Sequence, residues 1–170
     1  MPFTMQNQDY PLIFIVEDNS IYNKFITNHL KAKKFNRIES FLSGEECLMN
    51  LHKKPNIVIQ DYLLNGISGL DVLKTSKQTN PDSEFIFLSG QDNLNIAVST
   101  IKLGAFDYVV KDRFALEKLV SNIEKIMKIQ GEKFKNKKGK ISLSFLFIAL
   151  AFLIVSLVGL VIIFPKTFSF

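Results

Sequence analysis

Residues 12–18 read Leu-Ile-Phe-Ile-Val-Glu-Asp, five apolar residues that run straight into two acids. A continuous apolar run this short marks a strand buried on both faces. Beyond it Ile21, Tyr22, Phe25, Ile26 and Leu30 recur at helical spacing, with Asn19 or Ser20 placed to cap the start. A buried strand that passes through an acidic turn into an amphipathic helix is the first half of a βαβ unit, and the chain that follows repeats the pattern.

Asn36–Leu42 alternates only partly and carries Arg37 and Glu39, which suits an edge strand. A helix over Ser43–Lys53 opens with Ser43 and Glu46 in capping-box spacing and ends before Pro55. Asn56–Gln60 reads as a central strand. Leu70, Val72 and Leu73 indicate a short helix closed by Asn80-Pro81, and Glu84–Leu88 is another apolar strand. Leu94, Ala97, Val98 and Ile101 fall at i, i+3, i+4 and i+7, so Asn93–Leu103 is an amphipathic helix stopped by Gly104. Phe106–Val110 is the fifth strand. Leu116, Leu119, Val120, Ile123, Ile126 and Met127 form the stripe of a last helix. Strands alternating with helices predict a doubly wound α/β domain over residues 11–130, preceded by a leader at 1–10.

Composition narrows the function classes. The chain of 170 residues is 47% apolar and 22% charged, ordinary for a globular protein. Its single cysteine, Cys47, excludes a disulfide framework and is expected to pack in the second helix. The net charge of +5 does not describe a nucleic-acid-binding face, because residues 1–130 hold fifteen Lys/Arg and fifteen Asp/Glu. The excess sits in residues 131–140, with five lysines and one glutamate, and at Lys166. No nucleic-acid partner is expected.

That basic linker precedes ISLSFLFIALAFLIVSLVGLVIIF at 141–164, free of charge and proline. As a helix it would span about 36 Å, enough to cross a hydrocarbon core of roughly 30 Å. It predicts a transmembrane helix that anchors the chain in the lipid bilayer. Lysines at 133, 135, 137, 138 and 140 against Lys166 alone beyond the span place the first 140 residues on the cytoplasmic side of the inner membrane. Residues 165–170 then form a short tail on the other side. Ser142, Ala149 and Ser156 recur every seven residues with Gly159 one turn on, a face that could pack against a partner helix or a copy of itself, or arise by chance in a plain anchor.

In open parallel sheets, chemistry gathers outside the carboxyl ends of the strands. Strand one ends in Glu17-Asp18, strand three runs into Asp61, strand four into Ser89 and strand five into Lys111. Taken singly, each has a structural use as a cap, a turn or a solvated side chain. Taken together they bring three carboxylates, a hydroxyl and a lysine to one crevice. Clustered carboxylates disfavour one another's ionisation unless a cation neutralises them. Few protein oxygens in an open crevice suit Mg²⁺, which keeps waters and completes its shell with a phosphoryl oxygen. With no Gly-rich phosphate loop and no His/Cys cluster, the set fits phosphoryl transfer to a carboxylate of the protein itself.

Four motifs in order, IVEDN at 15–19, IQDYLLNGISGLDVL at 59–73, FLSGQ at 87–91 and GAFDYVVKD at 104–112, resemble the receiver domain of two-component response regulators. The resemblance implies a flavodoxin-like five-stranded parallel sheet in the order 2-1-3-4-5 with helices on both faces. It implies that Asp61 accepts a phosphoryl group from a histidine kinase or phosphotransfer partner. Mg²⁺ would be held by Asp18, Asp61 and the backbone carbonyl of Leu63, with Glu17 acting through water. Lys111 would pair with Asp61 and then with the phosphoryl group, Ser89 would bond that group, and Tyr108 is similar to the aromatic switch. The chain departs from the family pattern at Asn65, where proline is usual, at Ser68, and at Asp112 after the lysine. Asn65 and Ser68 are expected to alter loop stiffness more than chemistry. Leu63, two residues after Asp61, cannot orient an attacking water, which implies slow loss of the phosphoryl group.

The expected function is a membrane-anchored receiver that signals by protein contact to a membrane-associated partner, without a DNA-binding output and without catalysis on an outside substrate. The alternative is a scaffold subunit of a membrane complex that keeps the receiver shape but does not use phosphorylation.

Overall fold

The computed structural model describes residues 10–132 and 150–152. Its elements follow the order β1 (Ile13–Val16), α1 (Ser20–Ala32), β2 (Ile38–Phe41), α2 (Gly44–Met49), β3 (Ile57–Asp61), α3 (Gly69–Thr79), β4 (Glu84–Ser89), α4 (Leu94–Lys102) and β5 (Asp107–Val110). Residues 115–132 are helical and are called α5 here. The strands form one parallel sheet in the order β2-β1-β3-β4-β5. The expected flavodoxin-like topology is therefore present.

Alternation along each strand splits the core into two. Ile13, Ile15, Ile57, Ile59, Ile86, Leu88 and Val109 face one side, where Ile26 and Leu30 of α1 and Leu119, Ile123 and Ile126 of α5 cover them. Phe14, Val16, Val58, Phe85 and Phe87 face the other, against Cys47, Val72 and Leu73 of α2 and α3. Both faces of β1, β3 and β4 are buried, which is why their sequences read as unbroken apolar runs.

Caps settle the helix starts. The Asn19 side chain accepts from the Ile21 and Tyr22 amides at 3.0 Å each, which relieves Asp18 of that duty. Ser43 caps α2, and Glu46 returns to the amide of Leu42 at 3.0 Å, one residue before the cap. Gly104, at φ +98°, lets the chain leave α4 in a left-handed turn.

The structure corrects several boundaries and two faces. The helix expected over Ser43–Lys53 is a short α2 followed by a 3-10 turn at Leu51–Lys53, and the chain turns at left-handed Lys54. The α3 helix, by contrast, ends at Thr79 with Asn80 as its cap, as the Asn80-Pro81 stop predicts, after polar residues that carry no apolar period. On α1, Ile21 and Phe25 point to solvent while Asn23 is buried, because its carboxamide donates to the backbone carbonyls of Glu17 (3.2 Å) and Phe41 (3.0 Å). On α4 the stripe Leu94, Val98 and Ile101 is exposed, whereas Thr100 is buried with its hydroxyl satisfied by Ile96 O at 2.7 Å. A periodic stripe gives the direction of the apolar face, not which side the fold covers.

Cys47 packs in the core as expected, and burial pushes its thiol from 9.0 up to about 12. The unfolded thiol ionises first, so between those values the native state holds more protons and stability falls as pH rises, by about 1.4 kcal/mol per unit. Alkylation of Cys47 at pH 8 is expected only under unfolding conditions. Rapid labelling of the native chain, followed by mass, would contradict this packing.

The sheet, α1 to α4 and α5 as far as Met127 belong to one compact unit, Met1–Met127; in the second, Lys128–Phe170, residues 128–132 and 150–152 are described. Among the described residues no helix is long and apolar enough to cross a membrane. The span expected over 141–164 and most of its lysine-rich flank lie outside the described residues.

Candidate phosphoacceptor site

The crevice lies at the carboxyl ends of β1, β3, β4 and β5. One ligand oxygen from each of Glu17, Asp18 and Asp61 lies within 4.8 Å of the others. Glu17 and Asp61 are almost wholly buried and Asp18 half-buried. Lys111 reaches across from the end of β5, its Nζ 2.7 Å from Glu17 Oε2 and 2.8 Å from Asp61 Oδ2. Strand register makes this meeting inevitable, since Asp61 is the last residue of β3 and Lys111 follows β5, whose Val110 lies beside Ser89. The Lys111 amide donates to Ser89 O at 2.7 Å.

Three carboxylates against one ammonium leave the crevice negative. Burial raises the Glu17 carboxyl above its ordinary 4.5 and the charge of Asp61 adds to this, while Lys111 opposes both. Burial also works against the charge on Lys111, but its hydrogen bonds to Asp61 and Glu17 win and hold it above 10.5. The same ammonium lies over the ring of Tyr22, 4.8 Å from its centroid. Burial raises the Tyr22 phenol above 10.0.

A second group adjoins the charges. Ser89 is fully buried, and its Oγ accepts from the Gln91 amide at 3.1 Å. The Tyr108 hydroxyl donates to the Gln91 carbonyl at 2.7 Å, so the backbone of Gln91 meets one side chain through its N–H and the other through its C=O. The Tyr62 ring meets Tyr108 and Phe87 edge-on, at 6.4 and 6.2 Å between centroids. The Leu63 amide donates to Asp61 Oδ1 at 3.2 Å, and its exposed side chain adds no polar atom to the crevice.

All the residues singled out from the strand ends thus fall around one site: Glu17, Asp18, Asp61 and Lys111 in contact or near it, Ser89 and Tyr108 joined through Gln91. Sequence reasoning missed the contacts of Tyr22, read only as part of an apolar stripe, of Asn23, and of Gln91, the last residue of the FLSGQ motif. Asn65, expected to affect loop stiffness more than chemistry, donates from its side-chain amide to Asp18 Oδ2 at 2.7 Å.

The domain is a parallel doubly wound sheet with an acid cluster and a lysine at its carboxyl edge. The model of the response regulator receiver domain matches residues 13–124, and the chain belongs to that family. It is 30% identical over 113 residues to the C4-dicarboxylate transport transcriptional regulatory protein DctD of Rhizobium meliloti (strain 1021), covering 66% of this chain and 24% of DctD. It is 32% identical over 127 residues to a putative response regulator NtrX-like protein of Rickettsia felis (strain ATCC VR-1525 / URRWXCal2), covering 73% and 26%. The chain spans about a quarter of the length of these curated relatives. Among solved structures, the BeF3-activated DrrB receiver domain superposes with a TM-score of 0.64 at 25% identity, covering 70% of this chain and 98% of that one. Receiver domains interact with histidine kinases or phosphotransfer proteins and bind Mg²⁺ in an acidic pocket of this kind.

Proposed function

We propose that this chain is a membrane-anchored receiver that accepts a phosphoryl group on Asp61 from a histidine kinase or phosphotransfer protein and signals by protein contact. The observation that carries the reading is the Lys111 ammonium within 2.8 Å of both Glu17 and Asp61, beside Asp18. A scaffold gains nothing from burying two acids beside a third, since each costs desolvation and repels the others.

The residues present fit Mg²⁺: all three acids offer oxygen, and one lysine cannot neutralise them. Asp18, Asp61 and the Leu63 carbonyl would hold it, with Glu17 behind them. When bound, the cation neutralises charge on the phosphoryl oxygens. The protein's own part is positioning. An Asp61 oxygen attacks the phosphorus of a phosphohistidine, the new P–O bond forms as P–N breaks, and the imidazole nitrogen leaves with the electron pair. Lys111 moves from Asp61 to a phosphoryl oxygen, and the Ser89 hydroxyl donates to another. Taking Ser89 Oγ from the Gln91 amide frees the N–H of the residue whose carbonyl holds the Tyr108 hydroxyl. This gives phosphorylation a route to the surface near α4. The membrane part rests on the uncharged run at 141–164 and the lysines before it.

Salt-washed membranes from cells expressing the full chain test both parts. The chain is expected to stay with the membranes and, given Mg²⁺ and acetyl phosphate, to gain one phosphoryl group by intact mass. Release into the wash would remove the anchor and leave the receiver. Retention without any gain would favour the scaffold.

A further inference from the structure

Asn65 stands where the family pattern usually has proline, and it is not a bystander. Among the described residues, both hydrogen bonds that reach the Asp18 carboxylate come from it: Nδ2 at 2.7 Å and the backbone amide at a long 3.4 Å, each to Oδ2. Glu17 and Asp61 have Lys111 as their partner, whereas Asp18 is held by this one neighbour from the β3–α3 loop. We propose that Asn65 is a positioning residue for the divalent cation, fixing the carboxylate of the β1–α1 turn to the loop that carries the Leu63 carbonyl. The inference rests on the cation reading above and adds a residue to it.

The physical argument has three parts. A carboxylate has two oxygens with two lone pairs each, so an amide bonded to Oδ2 fixes the group while leaving it able to accept a cation. Mg²⁺ tolerates little departure from octahedral geometry, so the spacing between oxygens on different loops matters more than for a larger cation. A tether is useful only if its own base is fixed, and this one is. Across the loop Glu45 Oε1 accepts from the Ile67 amide at 2.9 Å. Gly66 beside it adopts φ +91°, where a Cβ would come within 2.6 Å of that same oxygen. The loop is thus held between Glu45 on one side and Asp18 on the other. Asn65 itself is exposed, so replacing its side chain removes the tether without opening the core.

The test is direct cation binding to the full chain, read as loss of the free Mn²⁺ signal in electron paramagnetic resonance, with Mg²⁺ as competitor. Mn²⁺ is a fair probe because it accepts the same oxygen ligands. Asn65→Ala is expected to weaken binding about tenfold, the usual effect of removing a group that orients a ligand. Asn65→Gln, which keeps the amide on a longer arm, is expected to recover part of the loss. Unchanged affinity in Asn65→Ala would overturn the proposal, as would tighter binding, which would make Asn65 a competitor of the cation. Asp18→Asn separates the two levels. If it binds Mn²⁺ like the parent chain, or if the parent chain binds none, the cation reading itself fails.

Discussion

Replacing Lys111 with methionine is expected to destabilise the domain by about 3 kcal/mol at pH 8 without divalent cation. The reason is what remains: Glu17 and Asp61, both almost fully buried, lose their shared counter-charge beside Asp18. Breaking a buried pair from one side costs roughly 3–5 kcal/mol, and the partial exposure of Lys111 puts this case at the lower end. The pH dependence has a definite sign. Glu17 already binds its proton more tightly in the folded state than its ordinary 4.5, and removing the ammonium strengthens that binding. The native variant then holds more protons than the unfolded chain above pH 4.5, so its stability falls as pH rises through that window. Urea titrations at pH 5.5 and pH 8 should show a smaller loss at the lower pH, and added Mg²⁺ should restore part of it. A loss that is equal at both values and indifferent to Mg²⁺ would mean that Lys111 contributes packing rather than charge.

Phe87→Ala is expected to cost still more, about 3–5 kcal/mol of a total that for a domain of this size is roughly 5–15. Phe87 is fully buried in β4, packs into the second core cluster and meets the Tyr62 ring edge-on. Its removal leaves a cavity two residues before Ser89, between strands that are hydrogen-bonded on both sides and cannot collapse to fill it. A fall in the urea midpoint with an unchanged slope is the expected signature. A loss under 1 kcal/mol would show that the aromatic layer repacks. The comparison with Lys111→Met is informative, because the Phe87→Ala loss should be the same at pH 5.5 and pH 8.

What was legible in the sequence and what was not divides along physical lines. β1, β3 and β4 were readable because burial on both faces demands unbroken apolar runs, and the acids, Ser89 and Lys111 were readable because strand ends in a parallel sheet converge. Asn19 and Ser43 announced their helices by side-chain chemistry that needs no tertiary context. The outward face of α4 was not readable. Leu94, Val98 and Ile101 have the spacing of a core stripe, yet this helix docks through Thr100, which satisfies its own hydroxyl on Ile96. Asn23 was hidden for the converse reason, since a carboxamide inside a helix gives no hint that it will bridge two strand ends. Asn65 was visible as a departure from the family pattern, but its contact with Asp18 depends on a separation of 47 residues closing in space. Spacing along the chain predicts neighbours within an element and at strand ends; it does not predict side-chain partners between loops.

The central claim is that Asp61 carries the phosphoryl group. It is tested most directly by treating the full chain with acetyl phosphate and Mg²⁺, reducing the product with borohydride, and mapping the peptides. An acyl phosphate on Asp61 is reduced at that residue, so the account predicts homoserine at position 61 alone, absent in Asp61→Asn and absent when Mg²⁺ is chelated. Modification at another residue, or a phosphoryl group that forms equally well in Asp61→Asn, would contradict it.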